Sequence, residues 1–142
     1  MPMNPSKQLR IFLLHARRDE EAVYRIYRRL TKEDAYVWLD REKLFPGQDW
    51  QYEIRKAIHG SDIVIACLSE QFNQQGGYRH EELRIAVEKA NSLPAGEIFL
   101  IPARLEPCDL PDPLHRWQCV DLFEAHGYRK LMRAFKEWAA SH

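Results

Sequence analysis

The sequence predicts an α/β fold, a doubly wound parallel sheet of five strands with helices on both faces. Three observations carry this expectation. Short apolar runs alternate with amphipathic, helix-length segments five times along 142 residues, and such alternation joins parallel strands through right-handed crossovers. The run Asp62 to Leu68 (DIVIACL) is apolar almost throughout instead of alternating, as a strand buried on both sides must be. Apolar residues make up 45% of a chain of single-domain length, enough to fill the core that this fold requires.

The elements follow in order. Leu9 to Leu14 reads as a buried strand. Asp19 can cap a first helix, with Glu20 and Glu21 in its first turn and Ala22, Val23, Ile26, Tyr27 and Leu30 on one face. Tyr36 to Leu39 is rich in β-formers. Asp40 to Gln48 (DREKLFPGQ) reads as a loop punctuated by Pro46-Gly47. A second helix starts at Asp49 with the stripe Trp50, Ile54, Ala57 and Ile58. The strand to Leu68 follows, then a polar loop from Ser69 to Gly77 that ends in Gly76-Gly77. A third helix spans about Tyr78 to Asn91, and Glu97 to Ala103 forms a fourth strand. Arg104 to Arg116 holds three of the eight prolines and reads as a loop. Trp117 to Leu122 is a short fifth strand. Tyr128 to Ala140 is a last helix, with Leu131, Met132, Phe135, Trp138 and Ala139 inward. The whole reads as one domain over residues 1–142, its core at about 9–140.

Composition narrows the function. Twenty-one basic residues balance twenty-one acidic ones, so no positive excess favours nucleic acid or an anionic membrane. Zero net charge also leaves self-association unopposed by long-range repulsion. Cys67, Cys108 and Cys119 are odd in number and form no CxxC, which argues against a disulfide framework or a zinc site and for a reducing compartment. No signal peptide or membrane span is legible, so a soluble cytoplasmic protein is expected. The six histidines are scattered, and no close ligand cluster suggests a metal. No GxGxxG or Walker sequence follows the first strand. Cys67 lies mid-strand among apolar residues and reads as core.

The flavodoxin-like strand order 2-1-3-4-5 puts a ligand crevice at the carboxyl ends of the first and third strands. The loops His15 to Asp19 and Ser69 to Gly77 should flank it, and the third helix begins there. On that helix Leu83, Ala86, Val87 and Ala90 define the buried stripe. At ~100° per residue, Glu82 lies ~90° from its centre while Glu81 and Glu88 lie ~150–170° away, toward water. Tyr78, four residues before Glu82, is its neighbour. On geometry alone, a dipole-favoured surface glutamate is the simpler reading of Glu82; a catalytic carboxylate is the other.

The residues add a resemblance. RIFLLHARRDEE, WLDREKLFPGQDW, EIRKAIHGSDIVIACLS, GYRHEELRIAVE, RWQCVDLF and GYRKLMRAF occur in the order and spacing of a Toll/interleukin-1 receptor (TIR) domain. The likeness runs from about Leu9 to Phe135 and is strongest to the bacterial branch that cleaves NAD. It implies a single TIR domain, standing alone or as part of a longer effector. It implies Glu82 as the catalytic residue, from the pattern of an aromatic, three residues and Glu. Tyr78 stands where the family often has Trp. It implies substrate contacts from His15, Ala16 and Arg17 after the first strand, with Asp40, Phe45, Trp50 and Ser69 around the pocket. Leu44, Phe45, Pro46 and Gly47 would form the BB loop that gates the pocket or joins neighbouring domains.

The implied reaction breaks the bond between nicotinamide and ribose, with NAD+ as substrate, no cofactor and no metal. Nicotinamide departs neutral from a cationic ring, so no general acid is needed; the oxocarbenium-like ribose is what needs stabilising. Trp50, Phe45 and Tyr78 could wall such a pocket, although Trp50 begins an apolar stripe and reads better as core. Arg17 or Arg18 could meet the diphosphate; a solvated basic pair is equally consistent. The expected partners are NAD+ and other TIR domains, with activation by self-assembly in bacterial immunity or cell suicide. The rival reading is a non-catalytic TIR–TIR module, or a mimic that binds host TIR adaptors.

Overall fold

The computed structural model describes residues 8–74 and 78–142. Five strands form one parallel sheet in the order β2-β1-β3-β4-β5, as expected. They are β1 (Arg10–Leu14), β2 (Tyr36–Trp38), β3 (Ile63–Leu68), β4 (Leu100–Arg104) and β5 (Val120–Asp121). The helices are α1 (Glu20–Lys32), α2 (Asp40–Lys43), α3 (Trp50–His59), α4 (Glu70–Gln74), α5 (Tyr78–Ser92) and α6 (Gly127–Ala140).

The two-residue strand period sorts the core. Ile11, Leu13, Ile63 and Ile65 face one side and pack with Val23, Ile26 and Leu30 of α1 and Leu131 of α6. Phe12, Leu14, Val64 and Ala66 face the other and pack with Ile54 and Ile58 of α3 and Leu83 and Ala86 of α5. All six residues of β3 are buried. Cys67 is fully enclosed, and desolvation by that burial pushes its thiol far up from its ordinary value. It is core, as read.

The fourth and fifth strands are shorter than the sequence suggests, for a backbone reason. The Phe99 carbonyl accepts from Val64, and Leu105 donates to Leu68, so these odd-numbered positions bond toward β3. Alternation turns Leu100, Pro102 and Arg104 toward β5, where the Arg104 carbonyl accepts from Leu122. Pro102 has no N–H to offer on that side. Pairing to β5 is therefore confined to Ala103 and Arg104. A two-pronged ion pair fastens this short edge, with Arg104 Nε and Nη2 donating to the Asp121 carboxylate at 2.7 and 2.8 Å.

Other differences have local causes. Asp40 to Lys43 is a turn of helix, not loop, with Glu42 and Lys43 N–H groups bonded to Leu39. Glu70 to Gln74 is helical because Phe72 is buried and the Ser69 hydroxyl accepts its N–H. Asp19 takes the N-cap position of α1 without a side-chain cap bond. Ala139 is exposed, so α6 buries a narrower stripe than expected. The Gly76-Gly77 turn lies outside the described residues.

Gly127 joins β5 to α6. A Cβ there would overlap the Asp121 carbonyl and stand 2.9 Å from the Leu122 Cα, and both are backbone atoms that cannot swing aside. Gly127→Ala is expected to destabilise the fold by about 1–3 kcal/mol, read as a lower thermal midpoint with the α6–β5 contact most affected.

Candidate functional site

Two adjoining clefts open beside the carboxyl ends of β1 and β2 and between α3 and α5. The first, about 540 Å3, is lined by Arg17 and Glu20, by Asp40, Arg41 and Leu44, and by Trp50 and Ile54. The second, about 550 Å3, is lined by Trp50, Gln51, Ile54 and Arg55 of α3 and by Glu81, Glu82 and Ile85 of α5. Trp50 and Ile54 belong to both, so the Trp50 ring stands at their junction.

Glu82 is only 3% exposed. The reading of Glu82 as a surface residue is therefore wrong, because the buried face of α5 is wider than its predicted stripe. Glu82, Leu83, Ile85 and Ala86 are all buried, while Val87 and Ala90 are only half-buried. The helix packs on the sheet and on α3 together, and a helix with two neighbours buries a wider arc. Glu81 and Glu88 point outward, as expected, and both bind Arg84. The Arg84 hydrogen bond holds the Glu81 carboxyl below its ordinary value, and Arg55 stands 3.8 Å away from it.

The cations of the first cleft differ in their commitments. Arg41 lies 3.4 Å from Glu21 and 3.8 Å from Glu20, and its guanidinium covers the Tyr24 ring. Arg17 makes no ion pair among the described residues. Arg18 is exposed and lines neither cleft.

The remaining predicted residues are distributed unevenly. Asp40 and Leu44 line the first cleft. Trp50 is 41% exposed, which corrects its reading as core. It is the first residue of α3, where the Asp49 carboxylate caps the Tyr52 N–H, and the inward stripe begins one turn later at Ile54. Phe45 is 67% exposed beside Pro46 and Gly47 and lines neither cleft. Gly47 has φ +92, a left-handed conformation suited to glycine. His15, Ala16 and Ser69 are buried and line neither cleft. The Tyr78 side chain lies outside those described. Gln51 and Arg55 were not singled out by sequence reasoning, and no local signal marks them; they reach the cleft because α3 crosses α5.

At the predicted crevice the two flanking loops are tied together. The Ser69 hydroxyl donates to the Asp19 carboxylate, linking the turns after β1 and β3. Burial raises the Asp19 pKa, while the Ser69 bond opposes the rise. Cleft space therefore lies to the β2 and α3 side of this tie.

Comparison with known proteins agrees with this architecture. The sequence model of the TIR domain matches residues 11–134, and the chain belongs to that family. It is 28% identical over 106 residues to the uncharacterised protein y4cD of Sinorhizobium fredii, covering 74% of this chain and 16% of that protein. The chain thus spans about a sixth of that relative's length. Its fold is similar to the TIR domain of the Toll-related receptor TRR-2 of Hydra magnipapillata, with TM-score 0.74 and 20% identity over 89% of this chain and 97% of that one. It is also similar to the CMP N-glycosidase BcmB of Clostridium botulinum, with TM-score 0.56 and 18% identity over 87% and 98% of the two chains.

The Asp19 tie has a pH signature. Because the folded-state pKa of Asp19 is raised, its contribution is most favourable below about 3.8 and is lost as pH rises through the folded value. Ser69→Ala removes the bond that limits this loss. The variant should lose about 1 kcal/mol at pH 7 and less near pH 3, where Asp19 is protonated folded or unfolded. Thermal melts at the two pH values check this; equal losses would assign the effect to the Phe72 N–H alone.

Proposed function

We propose that this TIR domain cleaves the nicotinamide–ribose bond of NAD+, with Glu82 as the catalytic carboxylate. The observation that carries the reading is a glutamate 3% exposed yet lining a cleft. A carboxylate so enclosed is shielded from the water that weakens charge interactions at a surface. The N-glycosidase named among the structural neighbours acts on the same kind of bond, between a base and a ribose.

The chemistry needs little else. As the bond breaks, its electron pair returns to the pyridinium ring and nicotinamide leaves neutral. Positive charge gathers on the ribose. Glu82 offsets that charge and accepts hydrogen bonds from the ribose hydroxyls. At ~4 Å and an effective dielectric of ~20 the interaction is worth about 4 kcal/mol, roughly three decades in rate. Water then adds to the ribose to give ADP-ribose; attack by a group of the same molecule would give a cyclic isomer instead. Trp50 can stack on a ring between the clefts. Arg17, uncommitted to any described carboxylate, suits the diphosphate.

Activity is expected to depend on assembly with other TIR domains, in bacterial anti-phage immunity or cell suicide. The exposed Phe45 beside Pro46-Gly47 supports a contact there. The same observation favours the second reading, a module that assembles without turning over NAD+.

Purified protein should consume NAD+ when concentrated on a surface and much less when dilute. Glu82→Gln should reduce turnover by about three decades without changing the circular dichroism spectrum. No loss of NAD+ in either format would leave the assembly module as the function. Trp50→Ala should raise KM by about tenfold or more; an unchanged KM would remove this ring from the substrate's path.

A further inference from the structure

We infer that Arg55 is a substrate-binding residue of the Glu82 cleft, one that leaves Glu81 to hold the phosphate nearest the nicotinamide–ribose bond. This rests on the proposed cleavage of NAD+ at Glu82 and adds the group that takes that phosphate.

The substrate's own connectivity supplies the first constraint. A carboxylate that accepts bonds from the hydroxyls of the nicotinamide ribose stands beside that sugar. The 5′-phosphate hangs from the same ring, one sugar's width away. It therefore lies in, or at the rim of, the cleft that holds Glu82. Among the described residues, the polar side chains lining that cleft are Gln51, Arg55, Glu81 and Glu82, with the indole of Trp50. Arg55 is the one cation in that set. Arg17 lines the other cleft, beyond Trp50, where it can meet the phosphate on the adenosine side. A phosphate set beside Glu81 and Glu82 without a cation would be repelled by both.

The contacts of Arg55 supply the second constraint. Among the described residues it makes one ion pair, from Nη2 to the Glu81 carboxylate at 3.8 Å, which crosses from α3 to α5. Both side chains are partly exposed, whereas Glu82 is enclosed. The pair thus stands at the rim and the reacting carboxylate deeper. An exposed contact of this length is weak and easily exchanged.

Glu81 does not depend on that contact. Arg84 donates to it from Nε at 3.2 Å and from Nη2 as well. This grip holds the Glu81 carboxyl below its ordinary value, so Arg55 can depart and leave Glu81 ionised and satisfied. A guanidinium is a planar fork that fits two phosphate oxygens at once. Arg55 would trade one long contact to a shared carboxylate for a two-pronged one. Glu81 is its resting partner and a competitor of the substrate.

Surface plasmon resonance on densely immobilised protein tests this, in the Glu82→Gln background where the ligands stay intact. The probes are nicotinamide mononucleotide and nicotinamide riboside, which differ only in the 5′-phosphate. Arg55→Gln should weaken binding of the mononucleotide about tenfold and leave the riboside unchanged. Arg55→Lys, which keeps the charge but not the fork, should fall between. Glu81→Gln should tighten the mononucleotide several-fold, and much less so once Arg55 is replaced. A merely structural role for Arg55 would weaken both probes alike. Equal affinity for the mononucleotide with and without Arg55, or additive effects of the two changes, overturns the inference and leaves the Glu82 chemistry standing. Arg55-dependent binding of the mononucleotide by a chain whose native form never consumes NAD+ keeps the phosphate site and overturns the cleavage reading instead. No binding of either probe, nor of NAD+, overturns both.

Discussion

Everything in this domain is arranged around a strand that water cannot reach. All six residues of β3 are buried, so both faces of the sheet must be covered. The chain supplies two helical layers, α1 with α6 and α3 with α5, joined by crossovers. The layers differ in what they leave exposed. The α3–α5 layer is seamed by a cleft that reaches Glu82. The α1–α6 layer buries its apolar stripe and turns unmatched arginines outward.

The first cleft is lined by the turns after β1 and β2 and by the start of α3, and the second takes Glu82 from α5. At the crevice expected between β1 and β3, two of the flanking residues are bonded to each other. Ser69 binds Asp19 across the turns after β1 and β3, and the open space shifts toward β2, where Asp40, Arg41 and Leu44 meet Arg17 and Trp50. Whether a loop residue touches a ligand therefore depends on which neighbouring loop it is bonded to. His15, Ala16 and Ser69 occupy the predicted segments yet lie buried, whereas Trp50, whose position suggested core, stands at the junction of both clefts.

The α1–α6 side shows a second consequence of burying so much apolar surface. Polar atoms caught beneath a helix need partners, and the Tyr128 hydroxyl has none among the described residues. Arg29 spends its guanidinium on the Tyr128 ring and not on a carboxylate.

The sequence by itself determined the class of fold, the TIR resemblance and the position of Glu82 in its motif. These depend on hydrophobic periodicity and spacing, both local properties of the chain. Tertiary structure alone decided which residues reach the clefts. A helix's buried arc depends on how many neighbours it packs against, so the depth of Glu82 was set by α3 as well as by α5. The length of β5 was set by the missing N–H of Pro102 one strand away. The turns after β1 and β3 are joined by a hydrogen bond spanning fifty residues. Contacts between segments distant in sequence leave no periodic trace within either segment, which is why they appear only once the chain is folded.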